Sequence, residues 1–95
     1  MYELRYINKA LKDLKNIDKS HQKFLTQNIR EFVENFSSDS EKQLMQSGKI
    51  KKLQGVSEEL YRLKLRSYRV IYKKEKDKLI ILVLSLKSRE NSYKK

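Results

Sequence analysis

The sequence contains no cysteine and a single histidine, His21. The first absence excludes a disulfide framework and a thiolate metal site. One imidazole among scattered acids supplies no ligand set for zinc or magnesium either. No cofactor is expected, and any chemistry must come from Lys, Arg, Tyr, Ser, Glu or Asp. Long apolar runs are also missing, since none approaches the roughly 20 residues of a membrane span. Met1 leads straight into a strand-like segment, without the charged start and apolar stretch of a signal peptide, so the expected location is the cytoplasm. Acids are scarce: 12 Asp and Glu stand against 23 Lys and Arg, a net charge of +11. An imbalance of that size exceeds what solubility requires and points to a polyanionic partner, whether RNA, DNA, an acidic protein or an anionic membrane. A chain of 95 residues supports one core, so residues 1–95 are expected to form a single domain.

Tyr2, Leu4 and Tyr6 alternate with Glu3 and Arg5, the period of a half-buried strand. Asn8 stands at an N-cap position before Ala10, Leu11, Leu14 and Ile17, whose spacing places them on one helical face. Ser20 opens a second, longer helix in the same way, with Leu25, Ile29, Phe32, Val33 and Phe36 as its apolar stripe. The short hop from Ile17 to Ser20 predicts a helical hairpin. Residues 39–48 have room for one or two helical turns carrying Leu44 and Met45 and closed by Gly48, and Gly55 marks a second break. The pattern then changes to strand: Leu60 to Leu65, Tyr68 to Lys73 and Leu79 to Leu86, separated by Arg66-Ser67 and by a charged turn, Lys74 to Lys78. The last strand is apolar on both faces, which predicts a central position with helices covering one side. The expected fold is α+β, an N-terminal strand and helical hairpin followed by an antiparallel sheet, in the order β-α-α-β-β-β.

In the first of these three strands Tyr61, Leu63 and Leu65 point one way, and Leu60, Arg62, Lys64 and Arg66 the other. A basic strand is ordinarily a solvated outer face. Alternating like charges on one strand face repel, however, so this ladder predicts a ligand that neutralises it. Arg69 opens the next strand and can lie near the ladder, its face being set by a register that sequence does not fix. Lys87, Ser88, Arg89 and Tyr93 can reach the same edge of the sheet. Tyr61, Tyr68, Tyr72 and Tyr93 are candidates for base stacking, although Tyr68 and Tyr72 share a face with Val70 and suit the core equally well. His21, beside Gln22, reads as a surface residue.

The segment from Lys52 to Tyr93, KLQGVSEELYRLKLRSYRVIYKKEKDKLIILVLSLKSRENSY, resembles the C-terminal half of the RelE/ParE toxin superfamily of type II toxin–antitoxin systems. The marks are the Leu-x-Gly turn at Leu53 to Gly55, the strand from Leu60 to Arg66, and the Tyr68-Arg69-Val70-Ile71-Tyr72 strand. An acid-containing turn, the apolar last strand and a terminal Arg with Tyr four residues later complete them. The helical hairpin of residues 9–36 is similar as well, so the likeness covers nearly the whole chain. It implies a RelE-like fold and a metal-independent endoribonuclease that cuts messenger RNA on the ribosome. In that reaction the RNA's own 2′-hydroxyl attacks the adjacent phosphate, giving a 2′,3′-cyclic phosphate and a 5′-hydroxyl. A base, cations for the phosphorane and help for the leaving oxygen are required.

On this resemblance Lys64 is the base, Arg69 and Arg62 hold the phosphate, Arg89 acts on the leaving group, and Tyr93 stacks on a base or orients the 2′-hydroxyl. Arg66, Lys87 and Tyr61 are expected to bind RNA beside them. A lysine is a poor base unless nearby cations disfavour its charged form, and the crowding of arginines serves that need. The implied partners are an acidic, partly disordered antitoxin, messenger RNA and the ribosome, with DNA reached only through the antitoxin. One departure is Leu86-Lys87-Ser88-Arg89, where some relatives carry Gly-His-Arg or Gly-Lys-Arg; it removes a histidine acid from that place. Two other readings stay open. A ParE-like toxin shares the fold but inhibits DNA gyrase as a protein ligand, and a non-catalytic RNA- or ribosome-binding module would use the same cations only to hold phosphates. Lys64, Arg69, Arg89 and Tyr93 together favour the nuclease.

Overall fold

In a computed structural model, which describes residues 2–53, 55, 59–75 and 77–88, the alternating start of the chain forms β1 (Glu3–Tyr6). The expected hairpin follows as α1 (Asn8–Lys15) and α2 (Lys19–Glu34). Neither helix begins where the sequence suggested. Asn8 is the first helical residue, and Ile7 occupies the cap because its N–H donates to Val83 O at 3.1 Å, so the chain passes directly from sheet to helix. Asp18 rather than Ser20 precedes α2, and its carboxylate is engaged by the side chains of Ser20 and His21. Ile17 lies past the end of α1 but still packs on the core.

Residues 39–48 form more than a passing turn. In α3 (Ser38–Gln46), Ser37 and Ser40 cap each other's backbone N–H reciprocally. At the other end Gly48 takes φ +87°, its N–H donating to Met45 O and that of Lys49 to Leu44 O, the Schellman arrangement. Glycine is needed there because an L side chain strains in that conformation.

The remaining chain supplies β2 (Ile50–Lys52), β3 (Leu60–Leu65), β4 (Tyr68–Glu75) and β5 (Ile80–Ser88). The sheet is five-stranded, in the order β1-β5-β4-β3-β2, with β1 parallel to β5 and the other pairs antiparallel. The apolar last strand is thus interior, flanked by β1 and β4. All three helices lie over one face. Ala10, Ile29 and Val33 from the helices meet Leu63, Val70, Tyr72, Val83 and Leu86 from the sheet. Each large side chain buried in this way contributes about 1.5–3 kcal/mol. No helix among the described residues is long and apolar enough to cross a membrane.

Two features of the sheet were not legible beforehand. The β4–β5 register steps from Tyr72↔Val83 to Ile71↔Ser85, leaving Leu84 as an extra residue in a β-bulge. The helix-facing set on β5 therefore changes from Ile81 and Val83 to Leu86, while the opposite face runs Leu82, Ser85, Lys87. Beyond the end of β1, the outer edge of β5 is closed by Asp13, whose carboxylate accepts from Leu86 N–H at 3.1 Å.

The second feature is a polar group inside the core. The predicted charged turn begins too early, because Lys74 belongs to β4 and points toward the helices. Its ammonium and the Tyr72 hydroxyl each donate to the buried Glu41 carboxylate of α3, both at 2.7 Å. The ammonium also lies 4.5 Å from the centre of the Tyr61 ring. Burial penalises the charged form of Lys74, but the hydrogen bond and charge of Glu41 outweigh it and hold the group above its usual value. Burial, reinforced by Glu41, likewise pushes the Tyr72 hydroxyl up.

Candidate nucleic-acid interface

Lys64 on β3 is directly opposite Arg69 on β4, and Arg69 is directly opposite Lys87 on β5. Opposed residues on neighbouring strands share a face, with Cα atoms roughly 5 Å apart. The three cations therefore form one row across the sheet, on the face that the helices leave uncovered. Lys64 and Lys87 are exposed and Arg69 is half-buried. Among the described residues none of the three pairs with a carboxylate. The Leu84 bulge makes the row possible: without its extra residue, Lys87 would face the helices.

A second row lies beside the first. Lys51 of β2 is opposite Arg62, which is opposite Ile71, itself opposite Ser85. Arg62 thus shares the face of Lys64 but stands level with Lys51 and Ile71 rather than with Arg69. Its Nε is buried without a hydrogen-bond partner.

Two expected members of the site are elsewhere. Arg66 sits in the β3–β4 turn with φ +56°, which ends the strand alternation, and its guanidinium carbon lies 4.0 Å above the Phe24 ring of α2. It is drawn to the helix side by that ring, not aligned with Lys64. Tyr61 is 8% exposed and stacks on Tyr72, ring centres 5.5 Å apart and planes 19° from parallel. It belongs to the core and offers no ring for base stacking. Tyr72 is core too, while the half-buried Tyr68 lies opposite Ser88 and against the ring of His21. His21 is exposed as expected, and its hydrogen bond keeps the Asp18 carboxyl below the usual range. Arg89 and Tyr93 lie outside the described residues.

Sequence reasoning missed Lys51. A strand of three residues shows no period, and the only signal was that Ile50 is apolar between Lys49 and Lys51. The assembled face offers a lysine amine, a planar guanidinium and a further ammonium in line. That set can hold a phosphate by bidentate and single contacts and leave an amine beside it for proton transfer.

A family model described as "ParE toxin of type II toxin-antitoxin system, parDE" matches residues 4–93. Among solved structures, the chain is similar to one in the archaeal RelE–RelB complex from Pyrococcus horikoshii. Identity is 28% over 93% of this chain and 94% of that one, with a TM-score of 0.64. An arginine-substituted mutant of the E. coli toxin RelE in the free state is 26% identical over 96% of this chain and 86% of its own, TM-score 0.61. YafQ from E. coli is similar in fold, at 18% identity over 99% and 100% of the two chains and a TM-score of 0.68. No curated protein sequence matches significantly.

Proposed function

Since the chain belongs to the ParE toxin family of type II toxin–antitoxin systems, within the RelE/ParE superfamily, we propose that it is a messenger-RNA endoribonuclease of the RelE type. The observation that carries this reading is the row Lys64–Arg69–Lys87 on the uncovered face of the sheet. In the neutral form the Lys64 amine takes the proton of a 2′-hydroxyl, and the 2′-oxygen attacks the adjacent phosphorus. The bond to the 5′-oxygen breaks as that oxygen takes up a proton from water, and the Lys64 ammonium afterwards returns its own proton to solvent. A 2′,3′-cyclic phosphate remains on the upstream fragment and a 5′-hydroxyl on the downstream one. Arg69 grips the non-bridging oxygens of the phosphorane in bidentate fashion, and Lys87 adds a charge that strengthens as the phosphorane forms. Arg89 at the leaving oxygen and Tyr93 on a base remain assignments from the resemblance.

The ribosome enters the reading through geometry. Two of the three cations are exposed on an open sheet, which does not hold a flexible strand with 2′-oxygen, phosphorus and leaving oxygen in line. A codon already fixed by ribosomal RNA supplies that alignment. Control follows from charge: a +11 chain suits an acidic, partly disordered antitoxin folded across it, and the similar P. horikoshii protein was solved with RelB.

The test compares single-turnover cleavage of a message in an elongating complex with an empty A site against the same message free. The wild type should cut the first far faster and leave the stated ends, and Lys64→Arg should be inactive because guanidinium is not a base. Full activity in Lys64→Arg removes Lys64 from the mechanism, and equal rates on both substrates remove the ribosome. The name of the matching family model favours a second reading, a gyrase-inhibiting toxin. Inhibition of gyrase supercoiling by both wild type and Lys64→Ala, without message cleavage, would select it.

A further inference from the structure

We propose that Lys51 and Arg62 form a second phosphate site, which holds a phosphodiester flanking the one that is cleaved; this rests on the nuclease reading above and moves Arg62 from the cleaved phosphate, where the resemblance puts it, to the neighbouring one. The two residues are directly opposed on β2 and β3 and share the uncovered face. Like charges placed opposite each other destabilise a strand pair unless something neutralises them. Among the described residues no carboxylate does so. The neighbouring Lys52 is different: it faces the helix side opposite Tyr61 and lies 3.8 Å from Glu59. One lysine of the strand is thus provided with an acid and the other is not.

Arg62 gives an independent sign of a ligand, because its side chain is only half-buried while its Nε finds no acceptor among the described residues. A buried unpaired donor costs about 1–3 kcal/mol, which a turn of the guanidinium toward a phosphate oxygen on the uncovered face would offset. The spacing also fits. Arg62 is two residues from Lys64 along β3, roughly 6.5 Å, the scale of one nucleotide step in an extended strand. The second row carries no charge on β4 or β5, where Ile71 and Ser85 stand, so its positive end lies toward β2. The first row carries its charges on β3, β4 and β5. A nucleic-acid strand that meets both therefore crosses the sheet obliquely and leaves over the β2 edge. Ligand chemistry and path are thereby specified: a single-stranded phosphodiester backbone, recognised by charge and without base contact.

The experiment uses messages with one uncharged methylphosphonate at the linkage immediately upstream or downstream of the cleaved one, loaded in elongating complexes with an empty A site. Single-turnover rates are read at subsaturating protein. At one of the two linkages, loss of charge should slow the wild type about tenfold, as expected for a charged hydrogen bond. Lys51→Ala should slow the unmodified message by a similar factor and lose most of its sensitivity to the charge of that linkage, Arg62 alone remaining to sense it. Lys52→Ala should behave as wild type. Thermal unfolding of Lys51→Ala should be unchanged or raised, since a repulsion has been removed. If Lys51→Ala keeps the full methylphosphonate penalty, or cuts the unmodified message at the wild-type rate, the second site is wrong while the nuclease reading survives. A wild type that cuts no message overturns both.

Discussion

The two faces of this sheet treat a positive charge in opposite ways. On the helix-covered face, Lys74 is met by Glu41 at 2.7 Å, shares that carboxylate with Tyr72 and lies against the Tyr61 ring. On the other face Lys64, Arg69 and Lys87 stand in line, with Lys51 and Arg62 in the next row, and among the described residues no carboxylate meets them. The same strands supply both arrangements, because alternation sends successive side chains to opposite faces. An ion pair inside is complete in the folded chain and resists change. Cations outside remain unneutralised until a polyanion arrives, and that availability is the property a binding face requires.

The largest effect should come from the inside. Glu41→Ala leaves a buried ammonium and a buried hydroxyl without their acceptor, and breaking such a pair costs about 3–5 kcal/mol. Chemical denaturation should show most of the stability of so small a domain gone. A loss under 1 kcal/mol would mean that α3 is not pinned by this contact. Next is Lys64→Ala on the outside. Cleavage on the ribosome should fall at least about 10²-fold, worth roughly 2.7 kcal/mol of barrier, with unfolding shifted by no more than about 0.5 kcal/mol. A variant that lost stability as well as activity would erase the distinction between the faces.

The third effect is a response to alkali. Lys74 and Tyr72 are both raised in the folded state above their ordinary values of 10.5 and 10.0. Groups shifted in that direction contribute fully below the unfolded values, and the contribution is lost as pH rises past about 10. Above that point each proton retained by the fold but released on unfolding lowers stability by up to about 1.4 kcal/mol per pH unit. Unfolding followed from pH 8 to 11 should show this decline, and Tyr72→Phe should flatten it. The smallest effect sharpens the placement of Arg66. Its contact with Phe24 is worth about 0.5–1 kcal/mol at an exposed position. Arg66→Ala should therefore lower stability slightly and leave the cleavage rate of saturated complexes unchanged. A large loss of rate at unchanged stability would return Arg66 to the RNA face.

The strands and helices were legible where a period ran long enough to be read: Leu60 to Leu65, Tyr68 to Lys73 and the stripe from Leu25 to Phe36. Capping was less so, because Ile7 is held by the sheet and Asp18 by His21, contacts that come from elsewhere in the fold. The cationic ladder was legible at Arg62 and Lys64 and misjudged at Arg66, since a positive φ ends the alternation on which the assignment depended. Lys51 and Glu41 were invisible for a related reason. Each acquires meaning only from a partner distant in sequence, Arg62 for one and Tyr72 with Lys74 for the other. The face of Arg69 depended on a register, and the face of Lys87 on a bulge at the end of an apolar run. Neither is written in local pattern.

The position of β5 between β1 and β4 also sets when the molecule can begin to work. Its partners lie at opposite ends of the sequence order, since β1 is the first strand and β4 the one just before. Until β5 has been synthesised, β1 has no neighbour and the sheet is split, and the row lacks Lys87. Contacts of such long sequence separation form late and slowly. The cationic row is therefore complete only once β5 has joined β4, and a chain that stops short of β5 carries its positive charges without the array that aligns them.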